Sequence, residues 1–298
     1  SNFNTSNVKT MNSMFYGCSS LASLNIFGWD TSSVAYMSKM FYNCDSLTSL
    51  DVSDLDTGRV TDMSSMFWSC ENLTSLNLSD WNTQNVKSMS EMFYDCSSLT
   101  SVDVSNFNTT KVTNMERMFE DCFKLTSLNL SGWNTSNVTN MSLMFYVCSR
   151  LSSITLGDNF SFKGKNITST SSQADLPTPS CPSGKWVLLD DAGNPTENSF
   201  TSEELRDEYP ATGVGTYVWD TRVTINFDVN GGAGSLPDQV ILYDTDNTLQ
   251  ANNGAIYKAG SKFTGWNTKA DGTGTAYADG ASIPANTFSD DTEITLYA

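Results

Sequence analysis

Asn134-Thr135-Ser136-Asn137-Val138-Thr139-Asn140-Met141-Ser142-Leu143-Met144-Phe145-Tyr146-Val147-Cys148 is one copy of a unit that recurs through the first half of the chain. Cysteines stand at 18, 44, 70, 96, 122 and 148, each 26 residues after the last. Met14-Phe15, Met40-Phe41, Met66-Phe67, Met92-Phe93, Met118-Phe119 and Met144-Phe145 keep the same register. Leu21, Leu47, Leu73, Leu99, Leu125 and Leu151 follow the cysteines by three. A fixed period of this length marks a repeat architecture, in which a unit too short to bury its own apolar stripe must stack on its neighbours.

Two apolar periods share each unit. From Val34 the apolar residues fall at Met37, Met40, Phe41 and Cys44, steps of three and four that predict a helical turn or two. From Leu47 the text becomes L-x-x-L-x-L, where Leu50 and Val52 alternate with polar residues and predict a short strand. Asp30-Thr31-Ser32-Ser33 supplies turn and N-cap chemistry between the two. Trp29, Leu55, Trp81, Phe107 and Trp133 follow the strands, and an apolar stack is expected there.

The L-x-x-L-x-L core is similar to that of leucine-rich repeats, and the fuller unit, over residues 1–156, resembles the BspA-like bacterial leucine-rich-repeat family. That resemblance implies an α/β leucine-rich-repeat solenoid of six 26-residue units, although the usual Asn or Cys after the strand is replaced by an aromatic or Leu. Residues 157–222 leave the period. Gly184–Leu189 and Gly215–Trp219 read as strands, and Glu203–Glu208 as a short solvated helix, so this segment is expected to be a small β-rich cap and linker. In residues 223–298, Val223, Ile225, Phe227 and Val229 alternate before Asn230-Gly231-Gly232. With Lys262-Phe263-Thr264-Gly265-Trp266 and the closing Glu293–Ala298, this segment resembles the Listeria-Bacteroides repeat, related to internalin B-repeats. The resemblance implies a β-grasp-like module, with its final strand truncated. Ser1–Thr5 match Ser105–Thr109, so the chain is expected to begin in mid-repeat, as a piece of a longer protein.

A formal charge of −17, from 16 basic and 33 acidic residues, disfavours nucleic acid and anionic membranes as partners. No run is apolar enough to insert in a membrane. The absence of histidine removes Ser-His and Cys-His nucleophile systems. Asp51 and Asp103 stand two repeats apart, ~10 Å at strand spacing, beyond the usual separations of a glycosidase pair. The glycines at 231, 232 and 234 open no helix, and Asp271-Gly272-Thr273-Gly274 reads as a turn. No catalytic residue, cofactor or metal is therefore assigned. Neighbouring helices pack ~8–10 Å apart whereas a disulfide needs Cα atoms within ~7 Å, so the reading favours buried free thiols and no disulfide. One cysteine per repeat cannot converge on a tetrahedral zinc. Cys181, between Pro179 and Pro182, stands out of register.

Outward-facing strand residues form three columns. Ser49, Ser75, Ser101 and Ser127 belong to the first; Asp51, Asn77, Asp103 and Asn129 to the second; Ser53, Ser79, Ser105 and Ser131 to the third. Alternation of Asp with Asn avoids stacked carboxylates, which at ~4.8 Å would repel by about 1 kcal/mol, and lets each amide donate to its neighbour. Such a face is either a self-satisfied polar sheet or a ligand-binding surface for a host extracellular protein or glycan. The functional expectation is a non-enzymatic adhesion or interaction protein of the bacterial cell surface. A passive stalk is the alternative, and a polysaccharide-acting enzyme the third reading. A further column, Thr5, Thr31, Thr57, Thr83, Thr109 and Thr135, is expected to bond the local backbone of its turn.

Overall fold

The computed structural model describes residues 4–164, 170–288 and 292–298. The chain divides into two compact units: one takes in everything up to Ser180 together with Lys185–Trp219, the other Cys181–Gly184 with Asp220–Ala298.

The segment expected to be helical in each repeat is a ladder of turns instead. The N–H groups of Met37, Lys39, Phe41 and Asn43 donate to the carbonyls of Asp62, Ser64, Met66 and Trp68, one repeat onward, at 2.8–3.0 Å. Between them, the N–H groups of Met40, Tyr42 and Cys44 fold back to the carbonyls of Met37, Lys39 and Phe41. Lys39 and Asn43 take left-handed φ values of 57° and 56°, and the equivalent pairs at 65 and 69, 91 and 95, and 117 and 121 do the same. An α-helix requires right-handed residues throughout and bonds four residues back. This overturns the α/β leucine-rich-repeat solenoid: among the described residues, the only α-helix is α1 (Ser202–Glu208), which lies outside the repeats. Apolar steps of three and four arise equally from successive three-residue turns, and the intervening Ser and Asn favour turns over helix. Alternate N–H groups then serve the neighbouring repeat, which supplies the partners that buried backbone donors require.

The strands are short and pair like with like. β1 (Ser49–Asp51) runs parallel to β2 (Ser75–Asn77), with Ser49 opposite Ser75 and Asp51 opposite Asn77. β3 (Ser127–Leu130) runs parallel to β4 (Ser153–Leu156), and Ser101 bridges to Ser127. A second line of parallel bridges joins Thr10, Tyr36, Asp62, Ser88, Asn114 and Asn140. Between the two lines lies the core, where Val86, Met89, Met92, Phe93, Cys96 and Leu99, for example, are fully buried. Phe15, Phe41, Phe67, Phe93, Phe119 and Phe145 form a continuous stack with centroids 5.4–6.0 Å apart. The expected apolar stack after the strands is present: Trp81, Phe107 and Trp133 lie parallel at 6.4 and 6.5 Å. The indoles of Trp81 and Trp133 donate to the carbonyls of Val52 and Val104, both at 2.9 Å.

A sheet extension closes the last repeat. β5 (Trp186–Leu189), β6 (Pro195–Phe200) and β7 (Gly215–Trp219) join it in the order β3-β4-β7-β5-β6, with β7 antiparallel to β4. Phe160, Phe162 and Tyr209 cluster edge to face, and the Tyr209 hydroxyl donates to the Gly157 carbonyl at 2.8 Å. A Cβ at Gly157, which stands 26 residues after Ser131, would sit 2.0 Å from the Ser131 carbonyl oxygen, so no side chain fits at this position. Thr201 and Glu204 form a capping box on α1, whose Leu205 is buried. Terminal repeats need such a cover for their exposed apolar end.

The second unit consists of β8 (Arg222–Asp228), β9 (Ala233–Gly234), β10 (Gln239–Leu242), β11 (Asn247–Thr248), β12 (Ile256–Tyr257), β13 (Trp266–Asn267), β14 (Ala276–Tyr277), β15 (Ser282–Ile283) and β16 (Glu293–Tyr297). Its main sheet has the order β10-β8-β16-β13-β14, so β16 is an interior strand, parallel to β8 over its whole length. The β-grasp-like expectation is overturned as well, since no helix is found among the described residues of this unit. Turn residues interrupt residues 230–280 too often for one, with left-handed Asn230, Gly231, Gly234, Asn253, Gly254, Gly260, Gly272 and Gly280. The core is formed by Val223, Ile225, Trp266 and Leu296, all at 1% exposure or less.

Candidate contact surfaces of the repeat unit

The strand-face columns are exposed, apart from the half-buried Ser53 and Ser105, but their side chains are engaged differently from expectation. Asp51 Oδ1 accepts from the Ser53 hydroxyl at 2.7 Å and its N–H at 3.1 Å. Asp103 accepts from Ser105 at 2.6 and 3.0 Å, and Asn129 from Ser131 at 2.7 and 3.1 Å. The Ser79 N–H donates to Asn77 at 3.2 Å. The expected donation from Asn to the neighbouring repeat is therefore replaced by Asx turns, which end each strand locally. Those hydrogen bonds, from the serine hydroxyl first and then the N–H, hold the Asp51 and Asp103 carboxyls below the usual carboxylate range.

Ser49, Asp51, Ser75 and Asn77 come together, with Leu50 and Leu76, around a shallow depression. Ser127 and Asn129 lie opposite Ser153 and Thr155 in the next repeat, and Ser101 joins through its bridge to Ser127. Ser53, Ser79, Ser105 and Ser131 fall beyond the strands, in the turns. Of the three columns, the first is the one that presents hydroxyls outward without an Asx-turn role.

From Thr31 onward the threonine column is not a local turn device. Thr83, 1% exposed, donates to the Asn108 carbonyl at 3.1 Å and accepts from the Asn108 N–H at 2.7 Å. Thr109 does the same with Asn134 at 2.9 and 2.8 Å. Each is a buried clip to the next repeat. The thiols also reach between repeats: Cys44, Cys70, Cys96, Cys122 and Cys148 donate to the carbonyls of Phe15, Phe41, Phe67, Phe93 and Phe119 at 3.0–3.2 Å. Burial pushes the Cys44 thiol up to about 11 and that of Cys148 to about 12.

One outward column escaped the sequence reading. Tyr16, Tyr42, Trp68 and Tyr94 each follow a Met-Phe pair, with Glu120 next in line and then Tyr146. Tyr16 and Tyr42 stack at 4.6 Å, while Trp68 meets Tyr42 and Tyr94 edge to face at 4.3 and 5.1 Å. Tyr16 is 52% exposed; Tyr42, Trp68 and Tyr94 are half-buried. The available signal was an aromatic side chain recurring one position past the inward stripe.

Carboxylates crowd around this column. Ser65 donates to Glu91 at 2.8 Å and Ser69 to Asp95 at 3.1 Å. Burial raises Asp95, with the charges of Glu71, Asp121 and Asp45 adding to it against the Ser69 hydrogen bond. Burial also raises Glu120, opposed by Arg117 and reinforced by Asp121, Glu91 and Glu116. Among the described residues no group of three potential ligands is placed to hold a metal ion, and no helix is long and apolar enough to cross a membrane.

The family described as Mycoplasma protein of unknown function, DUF285, matches residues 1–75 and 45–160, which together exceed half of the chain. The chain belongs to that family. The Listeria-Bacteroides repeat domain matches residues 224–298. Repeats of these two kinds are typical of surface-associated bacterial proteins. No curated protein and no solved structure shows significant similarity to the chain.

Proposed function

We propose that this chain is an interaction segment of a bacterial cell-surface protein, with the strand face of its repeats as the contact surface for a host extracellular protein or glycan. The observation that carries this reading is the exposed parallel array of Ser49, Asp51, Ser75 and Asn77 around one depression. Asx turns fix Asp51 and Asn77 in place, so contact with a hydrogen-bonding partner costs little side-chain ordering. Each carboxylate still carries a second oxygen available to a partner. Contact here is binding, with no catalytic step assigned.

The test is an array of extracellular host proteins and glycans probed with the wild-type chain and with a Ser75→Lys/Asn77→Lys double variant whose fold is checked by circular dichroism. Binding lost in the variant supports the proposal, and binding unaffected by it moves the contact elsewhere. The spacer reading draws on the Asx turns, which give the second and third columns a structural task; silence across the whole panel favours it. Product release from a polysaccharide library would overturn the non-enzymatic reading.

A further inference from the structure

The aromatic column carries chemistry that contact at the strand face leaves unused. Trp68 stands perpendicular to both tyrosine neighbours, interplanar angle 80° in each case, so it is turned out of the stack that Tyr16 and Tyr42 form. Beside it the charge is one-sided. Glu91, Asp95, Glu120 and Asp121 lie within reach of one another's charge, and Arg117, whose guanidinium lies 3.5 Å from Glu120 and 3.8 Å from Glu116, pairs with the latter two. Glu120 is 5% exposed, and its Oε2 is the atom that pairs with Arg117. A cation already occupies one end of the column, since the Lys39 ammonium stands 5.8 Å over the Tyr42 ring.

We propose that Trp68 and Tyr94, with the carboxylates of Glu91, Asp95 and Asp121, form a docking rail for an extended lysine- or arginine-rich peptide segment. Ammonium and guanidinium groups are attracted both to an aromatic face and to carboxylates, and the local excess of negative charge matches such a partner. Nucleic acid is anionic and is repelled. A neutral glycan fits less well, because it would leave the local excess of negative charge unmatched.

The test uses the 298-residue chain with fluorescein-labelled octalysine and octaarginine as probes, read by anisotropy at about 0.15 M salt, where screening sets in within ~8 Å. Trp68→Ala leaves the charge unchanged and is expected to weaken binding about three- to tenfold. Asp95→Asn/Asp121→Asn is expected to do the same. Asp54→Asn/Asp80→Asn, which removes equal charge from exposed turns on another part of the unit, should leave affinity within about twofold. Trp68→Phe keeps an aromatic face and should retain binding; where Trp68→Ala disturbs the far-ultraviolet dichroism, Trp68→Leu against Trp68→Phe decides. Equal weakening by the two acidic pairs with no effect at Trp68 would show diffuse attraction to a polyanion and overturn the proposal. So would absence of probe binding.

Discussion

The Asp/Asn column of the strand face and the Thr, Cys and Phe columns share one period, but their side chains are engaged in opposite ways. On the strand face, Asp51, Asp103 and Asn129 bond to serines two residues on in the same chain segment. In the other columns, Thr83 bonds a residue 25 positions away, Cys96 one 29 positions away, and Phe93 stacks on Phe67 and Phe119. A periodic side chain can therefore serve its own turn or its neighbour's. Only the second kind contributes to the interface between repeats, which is where the stability of a stacked array resides.

That contrast is broken most severely at the phenylalanine stack. Phe93→Ala empties a fully buried site between rings at 5.7 and 5.4 Å and should cost about 3–5 kcal/mol in denaturant unfolding. Tyr94→Ala, half-buried one residue later, should cost less than about half as much. Equal losses would mean that the outer ladder is as structural as the inner one, which would also weaken the case for the aromatic rail. Next in size is Thr109→Val, which keeps the shape but removes both bonds to Asn134. Two part-buried backbone groups then lose a partner, and a cost of about 1–3 kcal/mol is expected. Ser105→Ala, on the exposed turn, should cost under about 1 kcal/mol. A Thr109→Val variant no less stable than Ser105→Ala would erase the distinction.

The period, the inward residues and the stack after the strands were legible in the sequence, because buried positions such as Met92, Phe93, Cys96 and Trp81 recur in fixed register. The helix was not. Its apolar spacing is common to a helix and to successive turns, and what separates them is left-handed backbone at Lys39, Glu91 or Arg117, residue types that carry no mark of that conformation. The threonine clip was misread for a related reason: a hydroxyl in a turn can bond locally or across repeats, and only the close packing of Asn108 on Thr83 decides. The strand-face columns were correctly placed outside, while their Asx turns were overlooked although Asp-x-Ser and Asn-x-Ser recur visibly at 51–53, 103–105 and 129–131.

The smallest expected effect tests the Asx turns directly. Hydrogen bonds from Ser105 hold the Asp103 carboxyl below its usual range in the folded chain, so the unfolded chain binds a proton more readily. The stabilisation is therefore present above the unfolded value of about 3.9 and is lost as pH falls through the lower native one. Asn129 makes the same turn with Ser131 through a neutral amide. Asp103→Asn should accordingly preserve stability near neutrality, to within a few tenths of a kcal/mol at so exposed a site, and lose part of the decline between about pH 5 and pH 3. Asp103→Ala removes the acceptor altogether and should cost about 0.5–1 kcal/mol at neutral pH. Unfolding midpoints of the three chains across that range make the comparison. An Asn variant with the wild-type acid profile would mean that the charge of Asp103 takes no part in holding the turn, leaving it free for a partner.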